Sequence, residues 1–157
     1  MCASLASRDV RASPFLALLG LCALLGACGG SSYTKRDFIA RADAICASAL
    51  RQTRSISPGT NLAVYLAAVL PVVKSEADQL GALRRPPGTA RDRSTLAQYL
   101  AAMRQSVGNY RQLAGAAQRG DQEAVASAEA SLASSPLESL AASYGLTSCA
   151  SPTATVG

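Results

Sequence analysis

The sequence contains no histidine and no tryptophan, and it is poor in aromatic and charged residues. The lack of histidine excludes haem ligation by His, His-containing zinc sites and every His-based catalytic triad. Aromatic residues make up 4% of the 157 residues and charged residues 16%. A hydrophobic fraction of 49%, much of it alanine, and a mean hydropathy of +0.17 argue against extended disorder. The length suits one domain, or one domain and a targeting segment.

An uncharged run near the N-terminus has the features of an export signal. Residues 15–27 are 13 residues without a charge, whereas a helix that spans a bilayer needs roughly 20. The run fits the apolar region of a signal peptide, and Arg8 and Arg11 precede it. It ends in Leu25-Gly26-Ala27-Cys28, and glycine and serine follow. This arrangement resembles the bacterial lipobox, in which small residues precede an acylated cysteine.

The lipobox predicts a lipoprotein signal peptide over residues 1–27 and a lipid-anchored flexible tether over residues 28–33. Its chemistry requires Cys28 to accept a diacylglycerol and to become the first residue after cleavage. Two alternatives are an ordinary secreted protein cut after Ala27 and a short buried helix. Translation from a GTG start at Val10 is an alternative to Met1.

Two of the five cysteines remain after export and acylation, namely Cys46 and Cys149. An exported protein meets an oxidising compartment, so we expect one disulfide that closes a loop of 103 residues. Neither cysteine belongs to a Cys-x-x-Cys pair, which makes a redox-active dithiol an unfavourable interpretation. The alternative is two unpaired, buried thiols.

Apolar residues recur at three- and four-residue steps along four stretches, which predicts four amphipathic helices. The stretches are separated at Ser57-Pro58-Gly59, Arg84-Arg85-Pro86-Pro87-Gly88 and Gly120-Asp121. No stretch alternates polar and apolar residues as a half-buried strand does. The pattern predicts an all-α fold, an antiparallel four-helix bundle closed by one disulfide, over residues 34–150. Residues 151–157 are expected to form a disordered tail.

Local signals predict where the helices begin, bend and end. Thr34 is expected to cap the first helix, with Asp37 near its positive end. Pro71 lies inside the second pattern and predicts a kink. The third helix is expected to span Ala90 to Arg119. Ser135-Pro136-Leu137-Glu138 has the form of a capping box with proline at the first helical position, so we expect the last helix to break there.

The first helix also carries a motif that resembles a known group of proteins. Asp37-Phe-Ile-Ala-Arg-Ala-Asp-Ala-Ile-Cys46 is similar to the opening helix of small secreted and lipoprotein-type helical proteins of high-GC actinobacteria. Those proteins carry Phe-Ile-x-x-Ala-Asp-x-Ile-Cys after a lipobox or signal peptide. Their later features are matched here by Pro86-Pro87, Gly120-Asp121 and Gly145-Leu-Thr-Ser-Cys149. The resemblance implies a disulfide-closed helical bundle and adds no catalytic residue.

Three groups of side chains are candidates for function. Asp43 is either a ligand contact or, as we expect, a hydrogen-bond or salt-bridge partner near the disulfide. Arginines around the Pro-Pro turn either contact phospholipid headgroups or an anionic wall polymer, or form the expected solvated loop. Tyrosines near the apolar stripes either line a small-molecule cavity or, as we expect, belong to the core. The arginines and tyrosines are Arg84, Arg85, Arg91, Arg93, Tyr65, Tyr99, Tyr110 and Tyr144.

The sequence offers no motif of an enzyme: it has no Gly-rich phosphate loop, no Gly-x-Ser-x-Gly elbow and no clustered metal ligands. We expect no catalytic residue, metal site or cofactor. The prediction is a non-enzymatic structural or interaction lipoprotein, anchored through Cys28 on the extracytoplasmic face of the cell membrane. An envelope protein or an anionic envelope surface is the expected partner, and nucleic acid is not, since 13 basic and 9 acidic residues after Cys28 give only +4. The alternative is a small-molecule-binding lipoprotein with a tyrosine-lined cavity.

Overall fold

The computed structural model describes residues 32–151, and the regular secondary structure in that range is entirely α-helical. The predicted signal peptide, most of the tether and residues 152–157 of the predicted tail therefore lie outside the described residues, as does Cys28. The helices are α1 (Lys35–Ser55), α2 (Leu62–Ala82), α3 (Ala90–Arg119), α4 (Gln122–Ala133) and α5 (Leu137–Tyr144).

The first helix begins with the cap that its sequence predicts. The Thr34 hydroxyl accepts a hydrogen bond from the Asp37 backbone N–H at 3.2 Å, and the Asp37 carboxylate accepts one from the Thr34 N–H at 2.8 Å. These bonds satisfy N–H groups that have no partner within the helix. The same reciprocal arrangement joins Thr89 and Asp92 at the start of α3. Both helices thus have a sharply defined N-terminus.

The predicted break before the last helix is present, but the predicted capping box is wrong. Pro136 occupies the N-cap position of α5 and no side chain caps that helix, so Leu137 is its first residue. The reason lies in the preceding helix, because the Ser135 N–H still donates to the Leu132 carbonyl of α4 at 3.1 Å. The backbone of Ser135 is therefore still bonded to the end of α4, and Pro136, one residue later, takes the N-cap position of α5.

The second helix continues through its proline. Pro71 lies inside α2, which is helical from Leu62 to Ala82, and the proline is exposed on the outer side. A proline at this position has no N–H to donate to the preceding turn. The helix therefore tolerates the loss of that bond without a break, and the kink stays a prediction.

The bundle is organised around α3, which packs against α2, α4 and α5, while α1 packs against α2. Eight of the 24 buried apolar residues in the described range are alanines. Alanine allows close helix approach but removes little apolar area from water, so each contact stabilises the fold weakly. The largest fully buried side chains are Phe38, Leu66, Leu80, Tyr99, Leu113 and Leu146.

A disulfide joins the first helix to the segment after the last helix, as predicted. Cys46 and Cys149 are bonded, with their Cα atoms 5.1 Å apart and 103 positions between them in sequence. Asp43, one turn earlier on α1, accepts hydrogen bonds from the Ser148 N–H at 2.8 Å and the Thr147 hydroxyl at 2.9 Å. Asp43 is therefore a hydrogen-bond partner beside the disulfide, as expected. The C-terminal segment is fixed to α1 by a covalent and a polar contact.

Breaking the disulfide should lower the melting temperature by about 10 °C or more, because the unfolded chain regains the entropy of a long open loop. Thermal unfolding followed by circular dichroism with and without reductant measures the effect. The Cys46→Ser/Cys149→Ser variant is the control, since reductant should not change its melt further. A wild-type melt that is indifferent to reductant would contradict the prediction.

The Asp43 contacts predict a separate loss of stability. Asp43→Ala should lower the free energy of unfolding by about 1–2 kcal/mol, because it leaves the donors of Thr147 and Ser148 without their acceptor. Asp78→Ala is the matched control: this exposed aspartate pairs only with Lys74, also exposed, one turn away, and such pairs contribute at most about 0.5 kcal/mol. Urea unfolding of both variants checks the difference, and equal losses would count against the assigned role of Asp43.

Candidate functional site

A narrow cleft lies beside the disulfide, between α1 and α2. About 30 Å³ of it is open to a water-sized molecule. Its walls combine apolar side chains, the disulfide and two tyrosine rings. The lining residues are Cys46, Ala49, Leu50, Thr53, Tyr65, Val69, Val73, Glu76, Tyr110, Ser148, Cys149 and Ser151.

Glu76 is the only carboxylate among the residues that line this cleft. It lies on the inner side of α2, between Val73 and Leu80, which are both buried. Burial disfavours the ionised form and raises the pKa of Glu76 to about 7. Glu76 is not among the candidate residues named from the sequence, because the apolar stripe of the second helix is traced through hydrophobic residues alone. Its position three residues after Val73 and four before Leu80 is the signal that indicates an inward orientation.

The four candidate tyrosines divide into two groups. Tyr99 and Tyr144 are core residues, only 1% and 2% exposed. The Tyr99 hydroxyl lies 3.9 Å from the Cys46 sulfur, and burial together with the charge of Glu76 raises the Tyr99 pKa. Tyr65 and Tyr110 instead line the cleft, with Tyr110 half-buried. Tyr65 is also buried, at 8% exposed, so the core interpretation holds for Tyr65, Tyr99 and Tyr144, whereas Tyr110 packs partly buried against the core at the edge of the cleft.

The size of the cleft limits what it can bind. A volume of about 30 Å³ matches one water molecule, whereas small-molecule sites enclose roughly 300–1,000 Å³. Polar groups of its lining residues, the Glu76 carboxyl and the hydroxyls of Tyr65 and Tyr110, suit a bound water better than an organic ligand.

A second cluster of side chains, which includes the candidate Arg84, lies beyond the C-terminal end of α2. The ring of Tyr33 lies between two guanidinium groups, that of Arg41 at 5.5 Å and that of Arg84 at 5.8 Å from its centroid. Such cation–π contacts contribute roughly 0.5–1 kcal/mol each at exposed sites. They bring the residue before α1 into contact with the linker between α2 and α3.

The other arginines in and beside the α2–α3 linker are exposed, and two of them also donate hydrogen bonds to backbone carbonyls. Arg85 donates to the carbonyl oxygens of Leu83 at 2.9 Å and Gly81 at 3.2 Å, where α2 ends. Arg93 donates to the Gly88 carbonyl at 2.6 Å. A cation at a helix C-terminus offsets the negative end of the helix dipole. The expectation of a simple solvated loop is thus only partly correct.

A partly buried ion pair joins the first turns of α1 and α3. The Lys35 ammonium group lies 2.6 Å from the Asp92 carboxylate and 4.5 Å from the centre of the Tyr144 ring. The hydrogen bonds from Lys35 and Thr89 lower the pKa of Asp92 to about 2. Tyr144 in turn packs edge-on against Phe38, with ring centres 5.7 Å apart.

Within residues 32–151, no three histidine, cysteine, aspartate or glutamate side chains lie close enough together to hold a metal ion. None of the helices in that range is both long and apolar enough to span a bilayer.

The environment of Glu76 predicts a pH-dependent stability. Because folding raises its pKa from 4.5 to about 7, the wild-type protein loses stability as the pH rises through this interval. Glu76→Gln mimics the neutral form, so it should stabilise the fold by about 2–3 kcal/mol at pH 8 and have little effect at pH 4. Urea unfolding between pH 4 and 8 measures this.

Glu129→Gln is the matched control for that experiment, since Glu129 is exposed on α4. Its curve of stability against pH should follow the wild type. If the Glu76→Gln curve also runs parallel to the wild type, Glu76 is not buried in the way described.

Comparisons with protein-family models, curated proteins and solved structures gave no match. The similarity of the first helix to actinobacterial lipoproteins therefore stays a prediction. Any function assigned to this chain has to be argued from its own residues.

Proposed function

We propose that the chain is an exported lipoprotein, cleaved after Ala27 and acylated on Cys28, that displays a non-enzymatic helical domain on the extracytoplasmic face of the cell membrane. Its role there is structural or one of interaction, with an envelope protein or an anionic envelope surface as partner.

The observation that supports this proposal best is the pairing of Cys46 with Cys149. Disulfides form and persist in oxidising, extracytoplasmic compartments. With those two cysteines bonded, and Cys2 and Cys22 within the proposed signal peptide, Cys28 is the cysteine left for a lipid. The lipobox and the disulfide thus support export independently of each other.

We infer that the helices are arranged antiparallel, as the short connections predict. Tyr65, early in α2, and Tyr110, late in α3, line the same cleft. Glu76, late in α2, acts electrostatically on Tyr99, in the first half of α3. Sequence positions therefore rise along α2 as their α3 partners fall, which is the relation expected of an antiparallel pair.

An interaction role is better supported than small-molecule binding. The tyrosine-lined cleft has about 30 Å³ open to a water-sized molecule, a small fraction of a ligand site. We assign no catalytic role, since Glu76 is the single acid–base group of that cleft with a pKa moved towards neutrality and it faces space for only a water.

Acylation predicts a simple loss-of-anchor experiment. Cys28→Ser should abolish incorporation of a labelled fatty acid and should release or stall the protein as an uncleaved precursor, because serine offers no thiol for the diacylglycerol. Membrane fractionation and intact mass measure the outcome.

Cys22→Ala is the matched control, because that cysteine lies in the proposed signal peptide and should leave acylation and fractionation unchanged. Unaltered mass and membrane fractionation of Cys28→Ser would overturn the lipoprotein proposal.

A further inference from the structure

The charge of the domain is concentrated at one end, on a surface that we term the basic cap. Seven basic residues form it, and with Asp37 and Asp92 beside them its formal charge is +5. The remaining described residues carry six basic and seven acidic groups, a formal charge of −1. The basic cap consists of Lys35, Arg36, Arg41, Arg84, Arg85, Arg91 and Arg93.

Contacts between distant parts of the sequence assemble this surface. The Lys35–Asp92 ion pair at 2.6 Å joins the first turn of α1 to the first turn of α3. Tyr33, between the guanidinium groups of Arg41 and Arg84, joins α1 to the α2–α3 linker. The cap is therefore a property of the fold, and the sequence alone shows only its two separate halves.

The cations of the cap remain available to a ligand. All six of its arginines are exposed, and only Lys35 is half-buried. Arg85 and Arg93 bind backbone carbonyls through some of their N–H groups, which leaves the guanidinium charge intact. Arginine presents a planar fork of donors that matches phosphate oxygens in two-pronged hydrogen bonds. The cap thus has the chemistry of a phosphate-binding surface.

The position of the cap relates it to the proposed anchor. Cys28 lies five residues before Tyr33, a distance of at most about 17 Å even for an extended chain. Tyr33 itself is seated on the cap. An acyl chain on Cys28 would therefore keep the basic cap within reach of the headgroups, and the charge of the cap would decide whether it docks on them.

We propose that the basic cap binds the headgroups of anionic phospholipids and orients the bundle with the α3–α4 turn directed away from the membrane; the orientation rests on the proposed acylation of Cys28. Each cation near an anionic surface strengthens binding about fivefold, and salt weakens the attraction.

The test uses the full, acylated protein bound to lipid vesicles. In that chain an introduced cysteine is the only free thiol, so a fluorescent dye is attached at Ala82→Cys or Thr60→Cys. These exposed residues flank the two ends of α2, whose 21 residues separate them by about 30 Å. Energy transfer to acceptor-labelled lipid reports which end lies near the bilayer, in neutral vesicles and in vesicles with about a third phosphatidylglycerol.

The result expected is strong transfer from position 82 and weak transfer from position 60 in anionic vesicles, with a contrast that falls in neutral vesicles or high salt. Arg36→Gln/Arg91→Gln should reduce the ratio of docked to undocked protein about twenty-five-fold, because two charges leave the cap. Arg51→Gln/Arg104→Gln removes two exposed charges roughly 20 Å or more along α1 and α3 and should leave the contrast unchanged.

Flotation of the unlabelled protein separates the two proposals. Flotation with neutral vesicles reports the lipid anchor, whereas additional binding to anionic vesicles that Arg36→Gln/Arg91→Gln abolishes reports the cap. If the anchored protein shows the same difference in energy transfer between positions 82 and 60 in neutral and in anionic vesicles, the proposal that the cap binds anionic headgroups is wrong. Equal losses of anionic-vesicle binding in the two variant pairs would also overturn it. So would an Arg36→Gln/Arg91→Gln variant that still binds anionic vesicles but no longer binds a purified anionic wall polymer. Loss of flotation with neutral vesicles alone overturns the anchor and leaves the cap supported.

Discussion

The link between α1 and the chain after α5 is the constraint on which the rest of the structure depends. The backbones of the helices pack in an open series, in which α1 lies against α2, α2 against α3 and α3 against α5. Side-chain contacts, such as that of Phe38 with Tyr144, connect α1 to α5 across the gap. The Cys46–Cys149 bond closes that series into a ring. Asp43 adds polar contacts to the same segment, so the closing link also fixes the orientation of the backbone around residues 147 and 148. Without it, α1 would be held by its packing against α2 and by the side-chain contacts of Lys35 and Phe38.

The closing link matters because the core is rich in alanine. A buried alanine removes far less apolar area from water than a buried leucine, so helix contacts built on Ala42, Ala77 or Ala141 contribute little each. A covalent bond acts differently, because in the chain-entropy model it stabilises the fold by restricting the unfolded state. That contribution does not depend on how much area the core buries. The tyrosine hydroxyl next to Cys46 shows that the bond is also packed into the core.

The features that the sequence predicts correctly are those fixed by local chemistry. Thr34 with Asp37, and Gly120 with its left-handed backbone at φ 67°, mark helix ends because neighbouring residues alone satisfy the backbone groups there. The predicted capping role of Ser135 is wrong because its backbone N–H is bonded to the end of α4 and Pro136 takes the N-cap position of α5. Glu76 could not be placed from composition either, since burial of a carboxyl depends on α1 and on residues that follow the last helix.

The contacts at the start of α1 gain their meaning from the proposed anchor. Any force on a lipid-anchored Cys28 would reach the domain through Tyr33 and the first turn of α1. Three kinds of contact strengthen that turn: the cap formed by Thr34, the ion pair of Lys35, and the stacking of Tyr33 between guanidinium groups. Further along α1, the disulfide joins Cys46 covalently to Cys149, near the other end of the domain. If Cys28 carries a lipid, these polar and covalent cross-links lie where the tether enters the domain, so they reinforce a part of the core that includes buried alanines such as Ala42 and Ala141.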